Sequence, residues 1–273
     1  MIQNTSVLVD LHIGVWTGRK MDKRVAEQID ANNNTKAKAG NYHKKLLAGT
    51  EALDELHALV GRVRLWHYEN TLPWSDNGAR LLPMVNFFEY KEQLSKYKQE
   101  FTECAEKFYE AYPSLVSAAA FTLAGLFNSN DYPDVESIRR KNYFHAVFSP
   151  VPASGDFRVD IPDEYRKELE DISRQREEAA MKDLWERLHG CLKPISEKLA
   201  GAEKQIFRDT LISNALDLCN MLSKLNVAND PKLEQARQDI AKVLSGLDPK
   251  DLRKDDALRL DTKARVDQIL SMF

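Results

Sequence analysis

Apolar and polar residues alternate along the segment from Ser6 to Lys20, near the start of the chain. The apolar positions in this alternation are Val7, Val9, Leu11, Ile13 and Val15. A period of two over about ten residues predicts a β-strand with one buried face, and Thr17-Gly18 marks a turn after it. Because a single strand leaves its backbone groups unpaired, the segment also predicts a small sheet.

Two later segments have the composition of partner strands. Residues 143–148 and 157–161 are rich in aromatic and β-branched residues, and Pro150, Pro152 and Gly155 between them are turn formers. This hairpin and the N-terminal strand predict a sheet of about three strands. Helical patterns are expected near residues 22–30, 50–69 and 134–141, and a turn-rich connector near residues 70–78.

The strongest helical periodicity lies between residues 87 and 111. Apolar residues occupy both positions of a heptad repeat there: Phe87, Leu94, Phe101, Phe108, and Tyr90, Tyr97, Cys104, Ala111. This heptad stripe predicts a helix that pairs either with another helix of the same chain or, as a coiled coil, across a homo-oligomer. Pro113 is expected to kink or end that helix.

From Pro162 onward almost every pattern is helical. Helices are expected at about residues 162–191, 203–225, 231–244, 248–254 and 261–272. The sequence therefore predicts a mainly α-helical fold with a small β-sheet. It is expected to divide into an α+β domain over residues 1–161 and a helical bundle over residues 162–273.

Composition narrows the class of protein. No apolar run reaches the length of a membrane span and no secretory signal is visible, so we expect residence in the cytoplasm and no membrane partner. The three cysteines lie far apart among apolar residues, as buried thiols do. Phosphate-loop, dinucleotide-binding and hydrolase motifs are missing, and the histidines lack metal-ligand spacing. We expect no enzyme, cofactor or metal site.

Charge is distributed unevenly along the chain. The net charge is −3, yet residues 19–45 hold eight basic residues against three acidic ones, a local balance of +5. The rest of the chain must then carry a net charge of −8. Such an asymmetry indicates either a site for an anionic partner or a solvated basic loop without a ligand.

Cations alternate with aromatic residues in two further places. The first comprises Arg62, Arg64, Trp66, His67 and Tyr68, followed by Trp74 and Arg80 in the connector; the second comprises Arg139, Arg140, Lys141 and Tyr143. Single-stranded nucleic acid is bound by such combinations, because cations hold phosphates while rings stack unpaired bases. Trp66 lies near the apolar stripe of its helix and is expected in the core, and Trp16 and Tyr143 are equally suited to anchoring the sheet.

The predicted binding residues for single-stranded DNA follow from these clusters: Arg19, Lys20, Lys23, Arg24, Arg62, Arg64, Tyr68, Trp74, Arg80, Arg139, Arg140 and Lys141. Tyr68 and Trp74 are assigned to base stacking, because a turn-rich connector leaves rings accessible. The loop from Lys36 to Lys45 is the alternative location.

The block from Leu8 to Lys20, with Trp16-Thr-Gly-Arg-Lys20 at its end, resembles a family of bacterial and phage proteins with a domain of unknown function. Members of that family occur beside a MoxR-type ATPase and a von Willebrand A protein. The resemblance covers about the first 160 residues and implies an accessory role.

In size, mild acidity and helical content the chain is also similar to the Drc-like family, the single-stranded-DNA-binding RNA polymerase cofactors of podoviruses. This resemblance implies a non-enzymatic protein that binds unpaired DNA and assists a phage RNA polymerase. Two alternatives remain open: an adaptor for a MoxR-type ATPase and von Willebrand A system, and a structural component of the virion.

Overall fold

The computed structural model describes residues 2–76, 78–152, 162–200 and 210–271. Contacts divide the chain into two compact units that alternate along the sequence. The first unit comprises Met1–Asp10, His67–Lys91 and Val147–Phe273, and the second comprises Leu11–Trp66 and Glu92–Ala146. This division differs from the boundary expected at residue 161, because strands and helices that begin in one unit continue into the other.

The fold is mainly α-helical with a small β-sheet, as predicted. Six strands are described: β1 (Ser6–Gly14), β2 (Arg19–Met21), β3 (His43–Lys45), β4 (Leu72–Pro73), β5 (Arg80–Pro83) and β6 (Tyr143–Pro150). They form a four-stranded sheet in the order β4-β5-β1-β6 and a two-stranded sheet of β2 and β3. Strand β1 pairs antiparallel with β5, so that Ser6 lies opposite Pro83.

The sequence patterns predicted β1 and β6 but none of the other four described strands, among them β4 and β5. These two strands are only two and four residues long and lie in or beside the segment that we expected to be a connector. Both end in proline, and the apolar side chains of Leu72, Leu81 and Leu82 are all buried, so no alternation marks them. The strand expected at 157–161 lies outside the described residues.

Four helices begin before residue 140: α1 (Lys23–Asn32), α2 (Ala52–Glu69), α3 (Phe87–Leu123) and α4 (Val135–Arg139). Helix α2 was predicted near residues 50–69, and its apolar residues at helical spacing form the buried side. They are Leu53, Leu56, Val60 and Val63. Burial of this stripe is the main stabilisation expected for a helix of this length.

Helix α3 carries the heptad stripe, and the same chain covers it. In the second unit, the Phe101 ring lies 5.6 Å from Phe144 of β6, and the Phe108 ring lies 6.2 Å from Trp16. The stripe therefore packs on a strand, on Trp16 and, through Tyr97, on Trp66 of helix α2. A homo-oligomer is not needed to bury it.

Pro113 does not end helix α3, contrary to one of the two expected outcomes. The helix continues through it to Leu123. Tyr112 and Ala119, one on each side of the proline along the helix, are both buried. Packing on both sides outweighs the backbone hydrogen bond that proline removes.

The helices of the first unit surround its hydrophobic core. They are α5 (Asp163–Ala200), α6 (Thr210–Leu225), α7 (Pro231–Leu244), α8 (Pro249–Lys254) and α9 (Asp256–Leu270). Buried leucines spaced four residues apart on α5, such as Leu184, Leu188 and Leu192, pack in that core. Residues 203–209 of the helix expected at 203–225 lie outside the described part of the chain.

A buried histidine–tyrosine pair lies in the first unit. His67 Nδ1 is 2.7 Å from the hydroxyl oxygen of Tyr90, and both side chains are buried. Burial, with a smaller contribution from the Arg80 charge, lowers the pKa of His67 from 6.5 to about 4. The imidazole is therefore neutral at pH 7 and stays neutral in the folded chain well into the acid range.

This pair predicts a loss of stability on mild acidification. Between pH 6.5 and 4 the unfolded chain takes up a proton at His67 and the folded chain does not, so the free energy of unfolding falls as the pH drops. The fall due to His67 is about 3 kcal/mol over this window. Urea denaturation at several pH values should show it. His67→Gln should remove this part of the pH dependence, and His57→Gln, at an exposed position of α2, should retain it.

Candidate nucleic-acid interface

The basic residues that follow β1 are brought together on a two-stranded ribbon. Strands β2 and β3 are antiparallel, with Arg19 opposite Lys45 and Lys20 opposite Lys44. Helix α1 follows directly, and the Asp22 side chain caps it by accepting a hydrogen bond from the Val25 N–H. Turn, ribbon and cap thus place residues from both ends of the +5 segment side by side.

Lys44 is the internal anchor of this ribbon. Its buried ammonium lies 3.3 Å from Asp22 Oδ2 and 2.8 Å from Asp131 Oδ2, and it donates a hydrogen bond to the Leu126 carbonyl. Burial alone would lower the pKa of Lys44, but the hydrogen bonds to Asp131 and Asp22 outweigh burial and raise it. Lys44 therefore stays charged. It pairs with Asp22, which is one of the three acidic residues of the segment.

The other cations of the segment are exposed. They are Arg19, Lys20, Lys23, Arg24, Lys36, Lys38 and Lys45. Within the described part of the chain none of the seven forms an ion pair. Only Glu27 and Asp30 remain as local acidic residues, so the exposed surface keeps a balance of seven cations to two carboxylates. A concentration of unpaired positive charge attracts an anionic partner.

A cleft of about 480 Å³ lies beside helix α1 on this surface. Lys23, Lys36 and Lys38 are among the residues that line it. The loop that carries the last two lysines folds back onto α1, because Asp30 Oδ1 accepts a hydrogen bond from the Ala39 N–H. The loop named as the alternative location thus lies next to the cations of α1.

The side chains of Arg62 and Arg64, predicted to bind phosphates, both contact other groups of the chain. Arg62 pairs with Glu100 at 2.6 Å, and Arg64 donates a hydrogen bond to the Ile13 carbonyl. Both guanidinium groups thus have partners within the second unit. The partner groups, a carboxylate and a backbone carbonyl, are close in space but distant in sequence, so the sequence pattern does not reveal them.

Tyr68 and Arg80 belong to the first unit and close the end of helix α2. The Arg80 guanidinium lies 4.7 Å from the centre of the half-exposed Tyr68 ring and donates hydrogen bonds to the hydroxyl and carbonyl oxygens of Thr71. Arg187 of α5 donates to the carbonyls of Tyr68, Glu69 and Thr71. Cations at the C-terminus of a helix stabilise it, so both arginines have a structural role.

The prediction that Trp74 presents an accessible ring is wrong. Trp74 is only 6% exposed and lies in the core of the first unit, where short strands replace the expected open connector. Trp66, expected in the core, is half-buried and contacts Tyr97 edge to face at 5.2 Å.

The cluster near residue 140 is divided between structural and exposed cations. Arg139 forms a two-pronged ion pair with Glu106 and stacks on Tyr109 at 4.2 Å, so its guanidinium group is engaged within the second unit. Arg140 donates to Ser137 Oγ. Lys141 is exposed, and Tyr143 is 47% exposed. Lys141 and Tyr143 remain available to a partner.

One exposed aromatic ring was not among the residues predicted from the sequence. Phe121 in the last turns of α3 is 88% exposed. Arg24 donates to the carbonyl of Gly125, four residues further along, so the end of α3 lies against α1. An aromatic residue in an alanine-rich helix carries no sequence signal for exposure.

No group of acidic, histidine or cysteine side chains suited to a metal ion is found among the described residues. None of the described helices is long and apolar enough to cross a membrane. Comparisons of the chain with models of known families, with curated proteins and with solved structures find no match.

The burial of the two tryptophans predicts their contributions to stability. Trp74→Ala should lower the free energy of unfolding by about 3–5 kcal/mol, because it removes a large side chain from a packed core. Trp66→Ala, at a half-buried position, should cost clearly less. Urea denaturation of both variants measures this difference, and the reverse order would contradict the assignment of Trp74 to the core.

Proposed function

We propose that the chain binds single-stranded DNA and acts, without an enzymatic step of its own, as a cofactor of a phage RNA polymerase in the host cytoplasm. The observation that carries the proposal is the set of seven exposed cations, without an ion pair among the described residues, on the β2–β3 ribbon, helix α1 and the loop after it. We call this set the basic surface.

The basic surface supports a polyanionic partner. Cations that bind phosphates release condensed counterions, and this release is a large part of the binding free energy of nucleic acids. Because the whole chain has a net charge of −3, binding would be confined to this surface. Exposed Phe121, four residues before the Gly125 carbonyl to which Arg24 donates, adds the kind of flat ring that stacks on an unpaired base.

The role in transcription rests on the resemblance to the podovirus polymerase cofactors. Its test is transcription by the phage RNA polymerase from a template with an unpaired promoter region. Addition of the protein should increase the yield of transcript. An unchanged yield under conditions in which the protein binds the template would remove the polymerase role and leave DNA binding.

An adaptor function is the second candidate, and a specific observation favours it. Met84, Val85 and Phe88, close together at the start of α3, are 47%, 74% and 82% exposed. Exposed apolar groups of this size are typical of protein contacts. Co-elution with a MoxR-type ATPase from the same genome, lost in Val85→Lys/Phe88→Lys, would support this function.

The basic surface predicts salt-dependent binding of single strands. Arg19→Ala/Lys20→Ala/Lys45→Ala should weaken binding to a labelled single-stranded oligonucleotide, and the slope of log affinity against log salt should fall by about 2. Fluorescence anisotropy over a range of salt concentrations measures both effects.

The matched control variant removes three positive charges outside the basic surface. Lys182→Ala/Lys193→Ala/Lys250→Ala, at exposed positions of the C-terminal helices and the short helix α8, should keep the affinity and slope of the unaltered protein. Equal binding of single strands and duplex by the unaltered protein, or no binding of either, would end the proposal.

A further inference from the structure

Three aromatic rings form a continuous row on strands β1 and β6. The ring centre of His145 lies 5.1 Å from that of His12 and 5.4 Å from that of Tyr143. Both pairs are only mildly tilted, by 32° and 31°. Such a row presents aromatic surface along neighbouring strands, and we call it the ring row.

The ring row lies on the open side of these strands. His12, Tyr143 and His145 are exposed, whereas Ile13, which follows His12, and Phe144, which lies between Tyr143 and His145, are buried. Phe144 packs on Phe101 of α3. Successive side chains of a strand point to opposite faces, so helix α3 covers one face and the rings line the other.

Gly14 has a specific part in this arrangement. A Cβ atom at this position would lie 2.3 Å from Cε1 of Tyr143, a distance that no real contact allows. Gly14 does not have the positive φ that would itself favour glycine. The observed close approach of the Tyr143 ring to the backbone of β1 is therefore compatible only with a residue that lacks a Cβ atom, and a larger residue at position 14 would displace the ring.

Cations flank the ring row. Lys141 is exposed and precedes Tyr143 by two residues, which places it at the end of the row. The Trp16 N–H donates a 2.7 Å hydrogen bond to Asn142 Oδ1, so the segment that leads to Arg19 passes beside Lys141. The ring row and the basic surface are thereby connected within the second unit.

We propose that the ring row is the surface on which unpaired bases of single-stranded DNA stack, with Gly14 as the positioning residue for Tyr143. Aromatic rings give affinity for the flat faces of bases with little dependence on sequence, and cations at the end of the row bind the phosphates. In a duplex the base faces are already stacked on one another. The row therefore confers the preference for single strands, and this inference rests on the proposed function.

The test compares ring variants on single strands and duplex. Tyr143→Ala and His12→Ala/His145→Ala should each bind a labelled single-stranded oligonucleotide about fivefold to 100-fold more weakly per ring. Their weak binding to duplex, which depends on cations, should not change. Circular dichroism and thermal denaturation confirm that the variants are folded.

Two glycine variants separate a positioned ring from a general loss of packing. Gly14→Ala should displace the exposed Tyr143 ring and weaken single-strand binding several-fold while the chain stays folded. Gly61→Ala in helix α2, where an added Cβ meets no atom within 4 Å, should bind as the unaltered protein does.

The outcomes distinguish this inference from the proposed function. If the unaltered protein binds single strands and the folded ring variants bind equally well, the ring row is not the stacking surface, and the basic surface alone carries binding. If the ring variants change sedimentation instead of DNA binding, the row is a contact between copies of the chain and the inference is overturned. If the unaltered protein binds no DNA, the proposed function itself fails.

Discussion

The packing of helix α3 on only one side of strands β1 and β6 is the constraint on which the second unit depends. Phe144 faces α3 and is buried against Phe101, so its neighbours Tyr143 and His145 must face away from the helix. With Gly14 on the adjacent strand, Tyr143 lies close to the backbone of β1. The covered face thus determines which rings the open face presents.

A second constraint sorts the cations of the chain. Lys44, Arg62 and Arg139 have carboxylate partners, while Arg64, Arg80 and Arg187 bind backbone carbonyls. These interactions hold elements in place and engage the cations within the chain. Arg19, Lys20 and Lys45 of the ribbon have no ion pair among the described residues, and Lys44 beside them engages Asp22 and Asp131. The excess positive charge of residues 19–45 therefore lies on exposed side chains.

Sequence patterns predicted the helices well where the ends are marked by local chemistry. Helix α7 begins after Asp230, whose side chain caps it, with Pro231 in the first turn, and its observed bounds match the expected ones. Strands β4 and β5 were missed because two or four residues carry no periodicity. The candidate site was predicted in part: the cations at 19–24 are exposed, but Arg139 has a partner 33 residues away. Such partners, like the burial of Trp74, depend on tertiary contacts.

Photochemical crosslinking tests most directly whether bases stack on the ring row. A single-stranded oligonucleotide with 5-iodouracil at successive positions would be irradiated in complex with the unaltered protein, and the crosslinked residues identified by mass spectrometry. Because this base couples to the aromatic ring on which it stacks, we expect crosslinks at Tyr143, His145 and His12. Crosslinks confined to exposed rings of the first unit, such as Phe88 or Tyr165, would contradict the assignment of the DNA site to the open face of β1 and β6.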